Sequence, residues 1–215
     1  MSLTLFSLEH LVCEVPSLGA APGFRWYELD GDDAGVMRAS RERGATPEDG
    51  ASVVVATRHG AARVIEALPT IGAAAATHVQ FEVSGHARDA AALDAVRDHG
   101  LTPIPACHLP AAPSRRGHLK DRAERLAALG APVVKVVYPA LNARHVGWAE
   151  ELLREWPHER VGLSLTPAGH RQGRLRAALA GSRLVFAPLT TTAERMSAYW
   201  YRDLVVATGP GSENG

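Results

Sequence analysis

The sequence predicts an α/β fold, a (β/α)8 barrel of the TIM type with a shortened first βα unit. Three observations predict it. Short apolar runs alternate with amphipathic stretches from residue 50 onward, the pattern of a parallel sheet covered by helices. Strand cores such as Val53-Val54-Val55 and Val133-Val134 are apolar on successive residues, as expected when both faces of a strand are buried. Eight such runs occur, the number that closes a barrel. At 215 residues the barrel is small, and an open doubly wound sheet is the competing arrangement.

The predicted strands are residues 10–15, 25–30, 52–57, 78–83, 102–107, 133–138, 162–165 and 184–187. The amphipathic segments between and after them are 61–73, 87–99, 116–129, 143–156, 174–180 and 192–206. Between the first two strands, Pro16, Gly19, Pro22 and Gly23 suit a loop better than a helix, hence the shortened first unit. Pro47, Pro132 and Pro188 fall at element boundaries. Gly100 and Gly130 fall just past helix ends, where a left-handed cap is common. Residues 72–76 read as a helix end running into a strand, and Asp30, Gly31, Asp32 and Asp33 as a turn. Residues 1–208 are expected to form one barrel domain, with 209–215 a disordered tail.

Composition excludes several classes. Net charge is zero, so nucleic acid or an anionic membrane is not expected as partner; either needs a concentrated positive field. No apolar run approaches the length of a membrane span, and residues 1–10 lack the basic start and apolar stretch of a signal peptide, so the expected compartment is the cytoplasm. Two cysteines, Cys13 and Cys107, rule out a disulfide framework and a four-cysteine zinc site. Of 23 basic residues only Lys120 and Lys135 are lysines. Arginine cannot supply a neutral amine, so each lysine in so arginine-biased a chain needs a reason.

A parallel barrel carries its chemistry at the C-terminal ends of the strands. There the sequence places Thr57-Arg58-His59-Gly60, Gln80-Phe81-Glu82, Cys107-His108, Lys135 and the stretch from Thr166 to Arg174. Val133-Val134-Lys135-Val136-Val137 sets an amine in an interior strand. Burial favours the neutral amine, a nucleophile toward ketones and aldehydes. The alternatives are a lysine paired with a buried carboxylate or one reaching past the rim. His108 suits a general acid/base or, equally, a strand cap. Glu82 needs a cationic or donor partner: His108 on the adjacent strand, or Arg58 or Lys135 in a structural ion pair. Strand parity turns Cys107 away from the side His108 faces, so the two do not form a nucleophile–base dyad, and both cysteines read as small buried apolar residues. His78 and Glu82 share a strand face, but no third ligand supports a metal. No phosphate-binding or dinucleotide fingerprint is present, and no cofactor is expected. Arg171, Arg174 and Arg176 form a basic cluster that is either a solvated loop or, at a barrel mouth, a grip for a carboxylate.

Taken in order, these residues resemble the type I 3-dehydroquinate dehydratase family, most clearly from residue 78 to 200. Val79-Gln-Phe-Glu-Val83 resembles the strand with a glutamate beside the catalytic histidine, and Ile104-Pro-Ala-Cys-His108, followed by Pro113 and a helix, the strand ending Ser-x-His. Leu129-Gly-Ala-Pro-Val-Val-Lys-Val136 resembles the stretch carrying the Schiff-base lysine. Leu163-Ser-Leu-Thr166, Gly169, Arg174, Gly181-Ser182 and Phe186-Ala187 follow the order of the family's later motifs, and Val55-Ala-Thr-Arg58 resembles its strand with a substrate-binding arginine.

The resemblance implies a carbon–oxygen lyase with no cofactor. Lys135 forms an iminium with a ring ketone, His108 moves protons, and Glu82 holds His108. Arg174, Arg58, Glu28 and Thr192 bind a keto-carboxylate substrate. It further implies 3-dehydroshikimate as product, on the shikimate pathway to aromatic amino acids, and a homodimer. The chain departs from the family in three places. Tyr27-Glu28-Leu29-Asp30 lacks the arginine of Glu-x-Arg-x-Asp, Met196 replaces a glutamine that touches substrate hydroxyls, and Gln80 replaces an aspartate. These departures fall in the substrate pocket, while the catalytic trio is kept. Two rivals follow: a Schiff-base enzyme of the same fold acting on another keto substrate in specialised metabolism, and a non-catalytic barrel binding protein. The latter predicts a paired-off Lys135 and a pocket plugged by Trp200 or Met196.

Overall fold

The structure, a computed structural model, describes residues 10–16, 23–30, 51–72, 76–85, 87–157, 159 and 161–208. Its strands are β1 (Leu11–Glu14), β2 (Trp26–Asp30), β3 (Ser52–Gly60), β4 (His78–Glu82), β5 (Thr102–His108), β6 (Val133–Pro139), β7 (Gly162–Ala168) and β8 (Val185–Pro188). From β3 onward each strand is followed by a helix: α1 (Ala61–Gly72), α2 (Ala87–Asp98), α3 (Arg116–Ala127), α4 (Ala143–Glu155), α5 (Gly173–Leu179) and α6 (Ala198–Thr208). The expected turn at Gly31, Asp32 and Asp33, the boundary at Pro47, the tail 209–215, and residues 17–22 and 73–75 lie outside the described residues. Among the described residues no helix is long and apolar enough to cross a membrane.

The strands form one parallel sheet in the order β7-β6-β5-β4-β3-β2-β1-β8. The first strand pairs with the last, so the sheet curls into a nearly closed barrel and the open-sheet alternative falls away. The seam between β7 and β8 is closed just before β8 begins. Arg183 N donates to Leu163 O (2.8 Å), Leu184 N to Ser164 Oγ (2.9 Å) and Leu165 N to Ser182 Oγ (3.2 Å). Two serine hydroxyls do there what backbone carbonyls and amides do elsewhere.

Alternation along each strand sorts the core. Outward residues such as Val79, Phe81, Val134 and Val136 pack under the helices. Inward residues Val12, Val54, Ile104 and Phe186, with Trp26 and Val133, form a separate interior cluster. That plug is the floor on which the site rests. Gly100 (φ 73°) and Gly130 (φ 72°) take the left-handed conformation expected past α2 and α3.

Element boundaries differ from expectation by three residues or more in three places. β3 and β7 run on to Gly60 and Ala168. The last helix starts at Ala198, not at Thr192. Thr192 and Arg195 instead close a turn, with Thr192 N donating to Arg195 O (2.8 Å) and Arg195 N to Thr192 Oγ1 (3.1 Å). Ser197 Oγ accepts from Trp200 N (3.1 Å) and caps the true start.

Candidate active site

Inward positions at the C-terminal ends of the strands surround a cavity of about 440 Å³, walled by Lys135, His108, Gln80, Glu28, Arg58 and Arg174 among others. Lys135 is in register with Ala106 on β5 and Ser164 on β7 and is only 5% exposed. Its Nζ donates to Gln80 Oε1 (2.7 Å), sits 3.5 Å from Glu28 Oε2 and lies 3.3 Å from the Phe186 ring centroid. Burial holds the amine below the ordinary lysine range, against the opposing pull of Glu28 and Glu14. Burial also pushes the Glu28 carboxyl up, against the pull of Lys135. Both groups are driven toward their neutral forms. The contact to Glu28 is an ion pair at the edge of hydrogen-bonding distance, and among the described residues Glu28 Oε2 has no other hydrogen-bond partner.

Glu82 takes the first of the partners open to it. Its Oε1 accepts from His108 N (2.7 Å), and its Oε2 lies 2.7 Å from His108 Nδ1. A carboxylate at Nδ1 assigns the proton there and leaves the Nε2 lone pair available. The wall of the cavity includes His108 but not Glu82, which stands behind it. Cys107 and Cys13 point into the helix layers, as parity requires. Burial pushes the Cys13 thiol up to about 12. His78 is half-buried against Trp26 (centroids 4.7 Å apart), and its Nδ1 lies 2.8 Å from Thr77 Oγ1. Burial pulls it down to about 4.

The basic groups divide differently from the sequence pattern. Arg171, Arg174 and Arg176 do not form one cluster at the barrel mouth. Arg176 pairs with Glu150 on α4, with Nη2 3.0 Å from Oε2, and Arg171 is exposed. Arg174 reaches the cavity, but its Nη1 donates to Phe186 O and lies 3.7 Å from Glu14 Oε1. Arg195, on the loop after β8, pairs with the same Glu14 oxygen. Arg58 lines the cavity from the exposed end of β3. Thr192 is exposed and, among the described residues, does not line the cavity. Nor do Met196 and Trp200, which pack in the layer between α6 and the strands beneath it.

The sequence pattern singled out Lys135, His108, Glu82, Glu28 and Arg58 but missed Glu14 and Arg195 as a pair and Gln80 as the lysine's acceptor. Glu14 carried the same signal as Lys135. It is a charge at an inward position of a strand whose outward neighbours, Cys13 and Val15, are buried.

The whole chain is similar to solved structures of 3-dehydroquinate dehydratases. That from Geobacillus kaustophilus HTA426 superposes with a TM-score of 0.74 at 14% identity, covering 93% of this chain and 92% of that one. The type I enzyme from Clostridium difficile with covalently modified comenic acid gives 0.71 at 11% identity, covering 92% and 91%. That from Aquifex aeolicus VF5 gives 0.70 at 13%, covering 92% and 98%. At such identities the likeness is one of fold. The carboxyl transferase domain of Rhizobium etli pyruvate carboxylase with 3-hydroxypyruvate also matches (TM-score 0.65, 14% identity), covering 86% of this chain and 37% of that one. No protein-family model and no curated protein sequence matches the chain.

Proposed function

We propose that this protein is a type I 3-dehydroquinate dehydratase-like lyase that removes water from a cyclic β-hydroxy ketone carboxylate through a Schiff base on Lys135. One observation carries the reading. A buried amine on β6 and an imidazole on β5 face one cavity, and a carboxylate behind the imidazole fixes its proton on the far nitrogen. The Lys135 amine adds to the ring ketone and, with loss of water, forms an iminium. The iminium withdraws electrons and acidifies the neighbouring C–H. His108 Nε2 takes that proton, the C–O bond to the β-hydroxyl breaks, and the imidazolium gives its proton to the departing oxygen. Water then hydrolyses the conjugated iminium and restores the amine. Acid–base help of this kind contributes about 10²–10⁴ in rate. Arg58 is the cation best placed for the carboxylate, because Glu14 already engages Arg174 and Arg195. On this reading the enzyme works without a cofactor, in the cytoplasm, on the route to aromatic amino acids and as a homodimer.

A second reading, the same Schiff-base chemistry on another keto substrate, is favoured by Glu28. It sets a carboxylate beside Lys135 on the strand where the family carries an arginine. Incubation with 3-dehydroquinate, borohydride reduction and peptide mapping separates the two. A reduced adduct on Lys135 with new enone absorbance before reduction supports the dehydratase. An adduct without turnover supports the second reading. No adduct sinks the dehydroquinate assignment.

A further inference from the structure

We propose that Glu28 is a third catalytic group of this cavity, accepting the proton of the Lys135 ammonium and returning it to the oxygen expelled when the iminium forms. The inference rests on the Schiff-base reading of Lys135 and adds to it the group that makes the amine reactive.

The geometry selects Glu28. Among the described residues, Nζ meets the Gln80 amide oxygen, the Phe186 ring and Glu28 Oε2. An amide oxygen accepts a hydrogen bond but does not hold a proton near neutral pH, and a phenyl ring does neither. Glu28 is the one base of the three. Its Oε2 is buried and faces Nζ as an ion pair, with no other hydrogen-bond partner among the described residues. β2 and β6 stand four places apart in the eight-stranded sheet order, so Glu28 reaches Nζ from across the barrel while His108 sits on the strand next to it. The two groups therefore enter the cavity from different sides of the barrel, and His108 is left to the C–H and C–O steps. The other charges close to Glu28 are Glu14 and Arg174, which lie against each other. Burial favours neutral amine plus neutral acid over the ion pair, so the two states of the Lys135–Glu28 proton are brought closer in energy than in water.

The proton balance closes. Glu28 carboxylate takes a proton from the ammonium, and the amine's electron pair forms the C–N bond as the C=O π pair moves to oxygen. The carboxylic acid protonates that oxygen and, regenerated by taking a proton from the new C–N nitrogen, protonates the carbinolamine hydroxyl. Water leaves, the nitrogen lone pair forms the C=N bond, and Glu28 ends as a carboxylate facing the iminium cation. Ammonium and ketone have become iminium and water with no other reactant.

The test uses pentane-2,4-dione, a small diketone that condenses with a lysine amine through a carbinolamine to a near-ultraviolet-absorbing enaminone. The rate is followed at pH 7 in the wild type, Glu28→Gln, Glu28→Asp and Lys135→Met, and the adduct is mapped. The expected result is an adduct on Lys135, absent from Lys135→Met, that forms about 10²-fold more slowly in Glu28→Gln and at an intermediate rate in Glu28→Asp. A carboxylate that merely keeps Lys135 charged gives the opposite sign, because its removal releases the amine. An unchanged or faster rate in Glu28→Gln, or no wild-type adduct on Lys135, overturns the proposal. If Glu28→Gln does not fold, Glu28→Asp decides: a slower rate supports the proposal, and a rate at or above wild type overturns it. Failure of the wild type to turn over 3-dehydroquinate, with a Glu28-dependent diketone reaction, sinks the dehydratase reading and leaves this one standing.

Discussion

Glu82 grips His108 at two points of the same residue, the backbone N–H and the ring Nδ1, both at 2.7 Å. The ring is thereby fixed in tautomer and in aim. Glutamine cannot reproduce this, since one end of its amide is a donor and both contacts ask for an acceptor. If its NH₂ faces the ring, the imidazole proton is driven to Nε2 and the base is lost. Glu82→Gln is expected to lower kcat by about 10²-fold or more with a smaller change in KM, as for other imidazoles held in the wrong tautomer. Steady-state kinetics on the substrate that labels Lys135 checks it.

Lys135→Met leaves the Glu28 carboxylate buried without its cation. Breaking a buried pair from one side costs about 3–5 kcal/mol, and removing both charges costs much less. Urea unfolding should therefore show Lys135→Met clearly less stable than the Lys135→Met/Glu28→Gln double variant. The pH dependence has a definite sign. With the Glu28 carboxyl held high in the folded state, the native form binds more protons than the unfolded chain, so the single variant gains stability as pH falls toward the ordinary carboxylate range.

Glu14 occupies two arginines at the cavity, Arg174 and Arg195. Glu14→Gln releases both toward an incoming anion. Calorimetric titration with cyclohexanecarboxylate is expected to show tighter binding by about tenfold, roughly the 1.4 kcal/mol of a charge-assisted hydrogen bond. Arg58→Ala should weaken the same binding. If Glu14→Gln weakens it too, the acid shapes the site instead of competing for its cations.

His78 is held neutral by burial, at about 4 against an ordinary 6.5. Between those values the unfolded chain takes up a proton that the folded protein refuses, so stability falls as pH drops from 6.5 toward 4. Thermal melts across that window should show the fall, and His78→Phe, which keeps a flat ring against Trp26, should flatten it.

Ser164 Oγ is the acceptor for Leu184 N at the barrel seam, and both groups are buried. Ser164→Ala leaves that amide unsatisfied at a cost of about 1–3 kcal/mol, with little change in volume. Chemical denaturation measures it, and Ser164→Cys, a weaker acceptor, should fall between.

The architecture was legible because a buried parallel strand has nothing polar to spare. Val133–Val137 with one lysine in it, and Cys107 next to His108, read correctly through alternation alone. The start of the last helix was not legible from residue type. Thr192 is a good cap, but the turn it makes with Arg195 holds it outside the helix, and Ser197 takes the role. Much of the cavity's lining was legible as a set of residues, Thr192 excepted, and less so as a set of bonds. Gln80 and Lys135 are 55 residues apart, and Glu14 and Arg195 are 181 apart. No local pattern says which carboxylate a given cation finds when several face one cavity. That is why Arg174 read as a substrate grip, although the fold ties it to Glu14 and the Phe186 carbonyl.

The pairing of β1 with β8 reaches beyond closure. Leu11 to Glu14 are zipped to Val185 to Pro188 by a regular ladder, whereas β7 and β8, neighbours along the chain, are joined mainly through two hydroxyls. The first strand of the barrel is thus the clasp for the last one. Phe186, the ring under Nζ, arrives on β8, and Glu28 is set by β2, which lies against β1. A growing chain therefore carries Lys135 on β6 before it has the β8 ring that completes the chamber around the amine. On the proposed Schiff-base reading, the amine is expected to become reactive only once β1 and β8 have paired, and an unclasped copy to keep a solvated, charged lysine.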